Sequence, residues 1–558
     1  MAQLSGAQAL ALGLEKMGTT RVYGIIGTSI LGFFEGLYDF RERIRYISCR
    51  HEQVAASMAD AEGRLTGRPG VAVVHSGPGA LNAMVSVGNA YKDCSPLIVI
   101  TGAVKSRLKG TDGMLEADHL RIFAPFLKGG YRVQRAADVP EILSAAYRAC
   151  LAGAWGPALI EVPEDVWKER AEVDEASYRF ERPDVPPPDP SVLGAILEAL
   201  QRAKRPLILA GCGVAYAGAA EGLRVIAERL RVPVITTGNG RGVLPEDHPL
   251  CLGRAGFGGG TPPADHAFQR ADVILGIGCG ISDMVTYEFT QETEADLYLI
   301  NLDPAAEKRK FYVERNLLAD AGRALETLNR IAVENGIGPL ADWSAERREG
   351  DSQWRGMLAA AAGPREPLSP SYALSRLDPL LPRDAIVTGG AGMHVLYANN
   401  HLLARGPLQF LASVNFGAMG FGLPAAMGAK ISLPGRVVVA VLGDGDFLMT
   451  VQDLETAVRE KIGVKIVVIN DNSYRVLEMK QKLQYQGRVL GTRHGNPDLL
   501  KLAEAFGIRA RRLGASAGVD AVWQEMLATP DPFLVEIPTG ADDLPPTNIE
   551  AVLKMGQQ

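Results

Sequence analysis

The chain has 558 residues, of which 47% are hydrophobic and 22% are charged, and its formal net charge is −6. This length predicts about three domains, and the high apolar content with nearly balanced charges excludes collagen-like, coiled-coil and disordered classes. The acidic balance argues against a nucleic-acid binder, and no apolar run reaches the roughly 18 residues of a membrane span. Because no basic segment precedes an apolar core near Met1 and the 6 cysteines form no C-x-x-C pair, we expect a cytoplasmic protein with reduced thiols.

Apolar, β-rich runs alternate with longer helical patterns along the chain, which predicts an α/β fold built on parallel sheets. The candidate buried strands are, in chain order, Val71–Val74, Leu97–Thr101, Leu207–Ala210, Val273–Ile277, Val437–Leu442 and Lys465–Asn470. Two stretches between them are predicted to be linkers: the proline-rich Arg182–Pro190, and Glu346–Pro370, which is charged and then rich in Ala, Gly and Pro. The chain therefore divides into domains at about 1–180, 190–340 and 365–558.

The first and third segments share a detail near their ends. Gly156–Glu164 reads GPALIEVPE and Asp531–Thr539 reads DPFLVEIPT, and each strand-like run follows a helical pattern of similar length. Two buried strands can be similar by chance, but the pair predicts that the outer segments share a fold.

The third segment carries the most specific pattern. Strand Val437–Leu442 is followed by Gly443-Asp444-Gly445-Asp446, then by a helical stretch, Asp453–Glu460, and strand Lys465–Asn470 leads into Asp471-Asn472-Ser473. A right-handed crossover would bring Asp444 and Asp471 together at the carboxyl ends of neighbouring strands. Two carboxylates with a turn carbonyl and phosphate oxygens suit Mg²⁺, although Asp-containing turns are also ordinary helix N-caps.

The wider pattern resembles that of thiamin-diphosphate-dependent enzymes, in the acetolactate synthase-like and benzoylformate decarboxylase-like group. The matching elements appear in the family order: Arg50-His51-Glu52, Ser76-Gly77-Pro78-Gly79 with Asn82, Phe416–Pro424, Gly-Asp-Gly and Asn-Asp-Asn. The resemblance covers nearly the whole chain. It implies three doubly wound parallel-sheet domains. In chain order these are a domain that binds the pyrimidine of the cofactor, a central domain and a domain that binds the diphosphate.

The resemblance also implies roles for individual residues. Asp444, Asp471 and the Ser473 carbonyl would bind Mg²⁺, and Met419 would push the cofactor into a V shape. Glu52 would hydrogen-bond the aminopyrimidine ring and favour the tautomer that deprotonates the thiazolium carbon. The full set of cofactor-binding candidates is Glu52, Pro78, Asn82, Gly390, Gly392, Ala418, Met419, Gly443, Gly445, Asp446 and Tyr474.

In this family the cofactor lies between the first segment of one subunit and the third segment of another. A homodimer is therefore the minimum implied, and a homotetramer is common in the family. The implied reaction removes a carboxylate or acyl fragment through an enamine, whose protonation gives an aldehyde and whose attack on a second carbonyl gives an acyloin.

Four positions depart from biosynthetic acetolactate synthases. After strand Val273–Ile277 those enzymes carry arginines, where this chain has Gly280 and Met284. Their Phe-Gln-Glu glutamine is Leu115, and their substrate-selecting tryptophan is Lys480. These losses argue against the branched-chain amino-acid role and against a required FAD.

Benzoylformate decarboxylases match in part. His75 aligns with one of their active-site histidines and Thr28 with their pocket serine, whereas Met284 replaces their second histidine. We therefore predict that His75 and Thr28 join Glu52 as catalytic residues, with a purely structural histidine at a strand end as the alternative.

The remaining pocket candidates are Gly27, Ser29, Met114, Leu115, Val476 and Leu477. Their apolar character favours a small or apolar 2-oxo acid, or an aldehyde acceptor. Oxalyl-CoA decarboxylases and 2-hydroxyacyl-CoA lyases remain alternatives, for which Lys308-Arg309-Lys310 would be a phosphate patch rather than a solvated run. The turn Leu209–Gly213 would begin a dinucleotide site in a flavin or nicotinamide oxidoreductase, but it lacks the full G-x-G-x-x-G pattern.

Overall fold

A computed structural model describes residues 2–185, 187–304, 311, 313–540 and 542–548. The chain forms two compact units. The first unit takes in the described residues of 1–184 together with 415–435 and 448–464, and the second takes in those of 185–414, 436–447 and 465–558. No helix in the described parts of the chain is both long enough and apolar enough to cross a bilayer.

The N-terminal segment contains eight strands and six helices. The strands are β1 (Ala2–Ser5), β2 (Arg21–Gly24), β3 (Arg45–Ser48), β4 (Gly70–Val74), β5 (Leu97–Ala103), β6 (Gly129–Arg132), β7 (Pro157–Pro163) and β8 (Arg170–Val173). The helices are α1 (Gly6–Lys16), α2 (Leu31–Tyr38), α3 (Glu52–Thr66), α4 (Pro78–Lys92), α5 (His119–Phe123) and α6 (Val139–Leu151). Strands β2 to β7 form a parallel sheet in the order β3-β2-β4-β5-β7-β6, and β1 pairs with β8 antiparallel.

The central segment holds a second parallel sheet. Its strands are β9 (Pro206–Ala210), β10 (Val234–Thr236), β11 (Cys251–Arg254), β12 (Val273–Ile277), β13 (Asp296–Asn301) and β14 (Arg315–Leu318). Its helices are α7 (Pro190–Arg202), α8 (Cys212–Tyr216), α9 (Ala220–Leu230), α10 (Pro262–Arg270), α11 (Ala321–Glu334) and α12 (Ser344–Ala361). Along β9, Ile208 and Ala210 enter one apolar core while Leu207 and Leu209 enter another, so both faces of this sheet are covered.

The C-terminal segment holds the third parallel sheet. Its strands are β15 (Ile386–Thr388), β16 (Phe410–Leu411), β17 (Val438–Gly443), β18 (Lys465–Asn470), β19 (Arg509–Arg512) and β20 (Phe533–Pro538). Its helices are α13 (Pro370–Leu377), α14 (Met393–His401), α15 (Gly422–Ser432), α16 (Asp444–Leu448), α17 (Leu454–Arg459), α18 (Arg475–Gln484), α19 (Leu499–Ala505) and α20 (Val519–Ala528).

The outer sheets have the same strand order. Numbered along their own segments, both run 2-1-3-4-6-5, because the third sheet is ordered β16-β15-β17-β18-β20-β19. The central sheet, β11-β10-β9-β12-β13-β14, instead has the 3-2-1-4-5-6 order of dinucleotide-binding folds. The α/β prediction with three parallel sheets is therefore confirmed, and the outer segments do share a topology.

One organisational prediction is wrong. Residues 346–361 of the predicted linker Glu346–Pro370 belong to α12, whose Trp354 is buried. Glutamate, arginine and alanine are strong helix formers, so the charged composition that suggested a linker also suits an exposed helix. The first linker, Arg182–Pro190, has neither helix nor strand at its described residues before Pro190. The domain limits of 1–180, 190–340 and 365–558 stay predictions.

Candidate active site

Glu52 is the first residue of α3, in the first unit. The preceding residue, His51, caps the helix by accepting the Gln53 backbone N–H at its side chain. The Glu52 side chain is nearly buried, at 8% exposure, and its Oε2 accepts a hydrogen bond from Asn82 Nδ2 at 3.0 Å. Gly79 lies against the other oxygen, since a Cβ there would be 3.0 Å from Glu52 Oε1. Helices α3 and α4 thus hold a carboxylate with one oxygen bound and the other beside a glycine.

His75 lies at the end of β4 and is oriented by Ser29. Ser29 Oγ accepts the Ser76 backbone N–H at 2.9 Å and lies 2.7 Å from His75 Nδ1, which also accepts the Ser29 N–H at 3.4 Å. This pattern assigns the proton of the neutral ring to Nε2. Burial lowers the pKa of His75 from its ordinary 6.5, while the Glu52 charge acts in the opposite direction. The ring is therefore neutral at pH 7.

A second buried histidine supports the turn after His75. Gly77, whose φ is 66°, donates its N–H to His119 Nε2 at 3.0 Å, and His119 Nδ1 lies 2.7 Å from Glu161 Oε2. Both side chains are fully buried, and Arg132 pairs with Glu161. The carboxylate fixes the proton on Nδ1, so that Nε2 is free to accept from the turn.

The loop that carries Met419 belongs to the first unit as well. Gln53 Nε2 donates to the Met419 carbonyl at 3.0 Å, so this loop meets the start of α3 one residue from Glu52. Helix α15 packs closely on α3, because a Cβ on Gly428 would lie 2.4 Å from the Met58 carbonyl oxygen. The predicted cofactor residues Glu52 and Met419 are thereby brought to one place.

The other predicted site residues of the first unit differ in exposure and in how close they lie to His75. Ala418 is buried, Gly27 packs against the His75 ring, and the Leu115 carbonyl accepts Ser76 Oγ at 2.9 Å. Thr28, Pro78 and Met114 are exposed, Met114 at 88%. The hydroxyl that meets His75 is that of Ser29, not of Thr28.

The two aspartates of the predicted metal motif lie in the second unit, where β17 and β18 pair in parallel. Gly443 pairs with Ile469, so Asp444 and Asp471 follow the carboxyl ends of neighbouring strands as expected. Asp444 is buried at 2% exposure and Ser473 at 7%. Burial raises the pKa of Asp471, with the charge of Asp444 adding to it and a hydrogen bond from Arg475 Nε at 2.7 Å opposing it.

These groups fit a hard cation. Asp471 Oδ1 is buried and accepts no hydrogen bond from the described residues, which leaves a ligand oxygen in a site that also holds a second carboxylate. The described residues contain no group of three or more His, Cys, Asp or Glu side chains suited to a metal. A cation here would therefore depend on the Ser473 carbonyl and on oxygens of a ligand.

The predicted diphosphate-binding residues surround a buried histidine. His394 Nε2 is 3.5 Å from Asp446 Oδ2, and burial lowers the pKa of His394 to about 3. A Cβ on Gly390 would lie 2.1 Å from Asp446 Oδ1, and one on Gly443 would lie 2.8 Å from His394 Nδ1. Two further predicted glycines lie at the beginnings of helices. Gly392, at φ 151°, directly precedes α14, and Gly445 is the second residue of α16.

Helix α18 follows the metal motif directly and is tied to it by Glu478. This carboxylate accepts Ser473 Oγ at 2.9 Å and pairs with Lys482 and Arg493, and these contacts lower its pKa to about 2. The predicted pocket residues Val476 and Leu477 lie on the same helix, half-buried and exposed respectively. The Tyr474 ring lies beside the His494 ring at a tilt of 49°, with 4.8 Å between the centroids.

Two of the departures from acetolactate synthases meet at one residue of the second unit. Lys480 Nζ lies 5.6 Å from the centroid of the Phe257 ring, and the Met284 carbonyl accepts the Phe257 N–H at 2.7 Å. Sequence reasoning did not select Phe257, because the glycine-rich stretch around it has no motif of its own.

The structure adds no support for the two alternative sites proposed from the sequence, the dinucleotide-binding turn and the phosphate patch. Gly211 and Gly213 both pack on the backbone of Gly278, where added Cβ atoms would lie 2.4 Å from its carbonyl oxygen and 2.6 Å from its Cα. The glycines of the predicted dinucleotide turn are thus explained by close packing of two strand ends. Lys308-Arg309-Lys310, predicted as a phosphate patch or a solvated run, lies outside the described residues.

Comparison with protein families covers all three segments. Residues 4–122 match the thiamine pyrophosphate enzyme N-terminal TPP binding domain. Residues 193–328 match the central domain of the same enzymes, and residues 390–537 match their C-terminal TPP binding domain. Thiamine pyrophosphate is another name for thiamin diphosphate.

Similar proteins extend over almost the whole chain. The probable acetolactate synthase large subunit of Methanocaldococcus jannaschii is 34% identical over 547 residues, which cover 96% of this chain and 92% of that protein. The acetolactate synthase isozyme 2 large subunit of Escherichia coli is 32% identical over 542 residues, covering 96% and 95%. The acetolactate synthase large subunit of Corynebacterium glutamicum is 32% identical over 566 residues, covering 97% and 87%.

Proposed function

Because the chain belongs to the thiamine pyrophosphate enzyme family, in its acetolactate synthase-like group, we propose that it is a lyase or carboligase that acts on a 2-oxo acid with thiamin diphosphate and Mg²⁺. The observation that carries this proposal is the nearly buried Glu52, bound by Asn82 at one oxygen and facing a glycine at the other. When bound, the cofactor supplies a carbon nucleophile and an electron sink that lets a carboxylate leave.

The residues present suit both ends of this cofactor. Asp444, Asp471 and the Ser473 carbonyl would hold the cation and through it the diphosphate, and Gly390 and Asp446 would line the diphosphate pocket. At the other end Glu52 Oε1 is the atom that would exchange a proton with the aminopyrimidine ring. Asn82 keeps Oε2 occupied, so that the proton is held on one defined oxygen.

His75 is the proposed proton donor to the substrate. Its Nε2–H is the one N–H of the ring in the assigned tautomer, since Nδ1 accepts from the Ser29 N–H. A neutral imidazole that donates from Nε2 can orient a substrate oxygen without adding a fixed charge. Ser29 acts through His75 as a positioning residue. His119 supports the turn that follows His75 by accepting the Gly77 N–H.

The proposed substrate is a small 2-oxo acid, with a second 2-oxo acid or an aldehyde as acceptor. The predicted substrate-pocket residues Leu115, in the first unit, and Val476 and Leu477, in the second, have apolar side chains, which supports a substrate of low polarity. The relatives are named acetolactate synthases, which makes acetolactate the first product to test. Lys480 and Met284 occupy positions where the family resemblance implies other residues. The acceptor substrate can therefore differ from that of the acetolactate synthases.

The assembly and the compartment are part of the proposal. We propose a homodimer as the smallest active form and a homotetramer as the working form, in line with the family layout. None of the six cysteines, all of which lie in the described parts of the chain, forms a disulfide, which supports a reducing, cytoplasmic environment.

One experiment tests the function directly. The protein is incubated with thiamin diphosphate, Mg²⁺ and panels of 2-oxo acids, aldehydes and acyl-CoA thioesters, and the products are identified by mass spectrometry. Glu52→Gln should slow turnover by about 100-fold or more, while Glu42→Gln, at an exposed glutamate, should not. Equal turnover in the Glu52 variant, or turnover without thiamin diphosphate, would contradict the proposal.

A further inference from the structure

A short segment after α18, Thr492–Asn496, lies along the loop that carries Asp471. The Tyr474 N–H donates to the Thr492 carbonyl at 2.8 Å, and the His494 N–H donates to the Asn472 carbonyl at 3.1 Å. Between these bonds Ser473 and Arg493 form an antiparallel bridge. The segment is therefore fixed to the predicted metal loop by its own backbone.

Two side chains of this segment reach the other metal-motif turn. Asn496 Nδ2 donates to Asp444 Oδ2 at 2.5 Å and to Asn470 Oδ1 at 2.8 Å. His494 Nε2 lies 3.2 Å from the same Asp444 oxygen. A carboxylate oxygen only accepts, so Nε2 must carry the histidine proton for this contact to form a hydrogen bond. Segment Thr492–Asn496 thus joins the Asp444 turn to the Asp471 loop.

The contacts are concentrated on one oxygen of each carboxylate. Both side-chain donors meet Asp444 at Oδ2, and Arg475 meets Asp471 at Oδ2 while Asp471 Oδ1 has no hydrogen bond from the described residues. Outer partners of this kind fix the rotation of a ligating carboxylate and leave its second oxygen for the ion. Neither His494 nor Asn496 belongs to the sequence motif.

We propose that His494 and Asn496 are positioning residues of the cation site, which hold Asp444 through Oδ2 so that Oδ1 faces the bound ion. This inference rests on the proposed function, because it takes Asp444 as a metal ligand. It assigns a task to the segment after α18 that the Gly-Asp-Gly and Asn-Asp-Asn motifs do not contain.

The test uses Mn²⁺ as the probe. Free Mn²⁺ is followed by electron paramagnetic resonance while the full-length protein is titrated in at a fixed, saturating concentration of thiamin diphosphate. Asn496→Ala and His494→Ala should each weaken Mn²⁺ binding by about 10–100-fold. His494→Gln, which keeps an N–H donor, should recover part of the affinity, and Asn335→Ala, at an exposed helix end, should not change it.

The outcomes separate the inference from the proposed function. If the unaltered protein binds no Mn²⁺ with thiamin diphosphate present, the proposed function fails. If it binds Mn²⁺ and both alanine variants bind it equally well, the positioning role is wrong. The melting temperature of the metal-free protein should be similar in all variants. A loss of affinity that follows a loss of stability, with no recovery in His494→Gln, would mean a structural role and would also overturn the inference.

Discussion

Asn82 donates a hydrogen bond of 3.0 Å to Glu52 Oε2, across two helices that start 26 residues apart at Glu52 and Pro78. Removing this donor frees the carboxylate to rotate. A hydrogen bond to a charged group contributes about 1.5–3 kcal/mol, less where water has access, so Asn82→Ala should lower kcat by about tenfold. Steady-state kinetics at saturating cofactor measure the effect. Leu81→Ala, one residue earlier on α4, should leave kcat near its original value.

Asp93 is part of a buried charged network between α3 and α4. It lies 3.5 Å from Arg64 Nη2, which also pairs with Asp60, and it accepts the Asn415 backbone N–H at 2.9 Å. Asp93→Asn should lower the free energy of unfolding by about 3 kcal/mol, because it upsets a buried ion pair. Chemical denaturation measures this. Asp112→Asn, at an exposed loop position, is the matched control, and an equal loss in both variants would contradict the argument.

Gly390 has no room for a side chain. A Cβ would lie 2.1 Å from Asp446 Oδ1 and 2.5 Å from its Cγ, and Asp446 is itself buried. Gly390→Ala should therefore displace Asp446 and weaken thiamin diphosphate binding by at least tenfold, which calorimetric titration in the presence of Mg²⁺ can measure. Gly435→Ala, where a Cβ meets nothing within 4 Å, should bind the cofactor normally.

His394 should contribute to loss of stability in acid. Its pKa is about 3 in the folded protein and near 6.5 when unfolded, so below pH 6.5 the unfolded chain binds a proton that the folded chain does not. This contribution lowers the free energy of unfolding by about 1.4 kcal/mol per pH unit as the pH falls from 6.5 towards 3, and it vanishes above 6.5. The fall in melting temperature between pH 7 and pH 5 should therefore be smaller in His394→Gln.

The quantity compared is the difference in melting temperature between pH 7 and pH 5, measured separately for the unaltered protein and for His394→Gln. Burial raises the pKa of both Asp265 and Asp453 to about 6, which stabilises the folded state as the pH falls, but this opposing effect is common to both proteins. Asn335→Ala, at an exposed helix end, removes no titrating group and should keep the original pH dependence. An unchanged acid response in His394→Gln would show that this ring does not resist protonation.

The local sequence pattern was enough to predict the limits of two strands and the pairing of the two aspartates in the predicted metal motif. Val273–Ile277 and Lys465–Asn470 have the predicted limits, because each is a continuous apolar run that ends at a polar residue or glycine. Asp444 and Asp471 could be paired from sequence because residues at the carboxyl ends of adjacent parallel strands share one edge of the sheet. The composition of Glu346–Pro370 misled, since charged residues suit a linker and an exposed helix equally well.

The amino-acid sequence by itself determined the fold class and the family and predicted the site residues, since these depend on short-range periodicity and on motifs of adjacent residues. Only the tertiary structure decided which partners orient them. Ser29 rather than Thr28 meets His75, and His494 and Asn496 reach Asp444 from about 50 positions along the chain. A hydrogen bond needs atoms within about 3 Å and a suitable angle, and this depends on the path of the whole chain between the two residues.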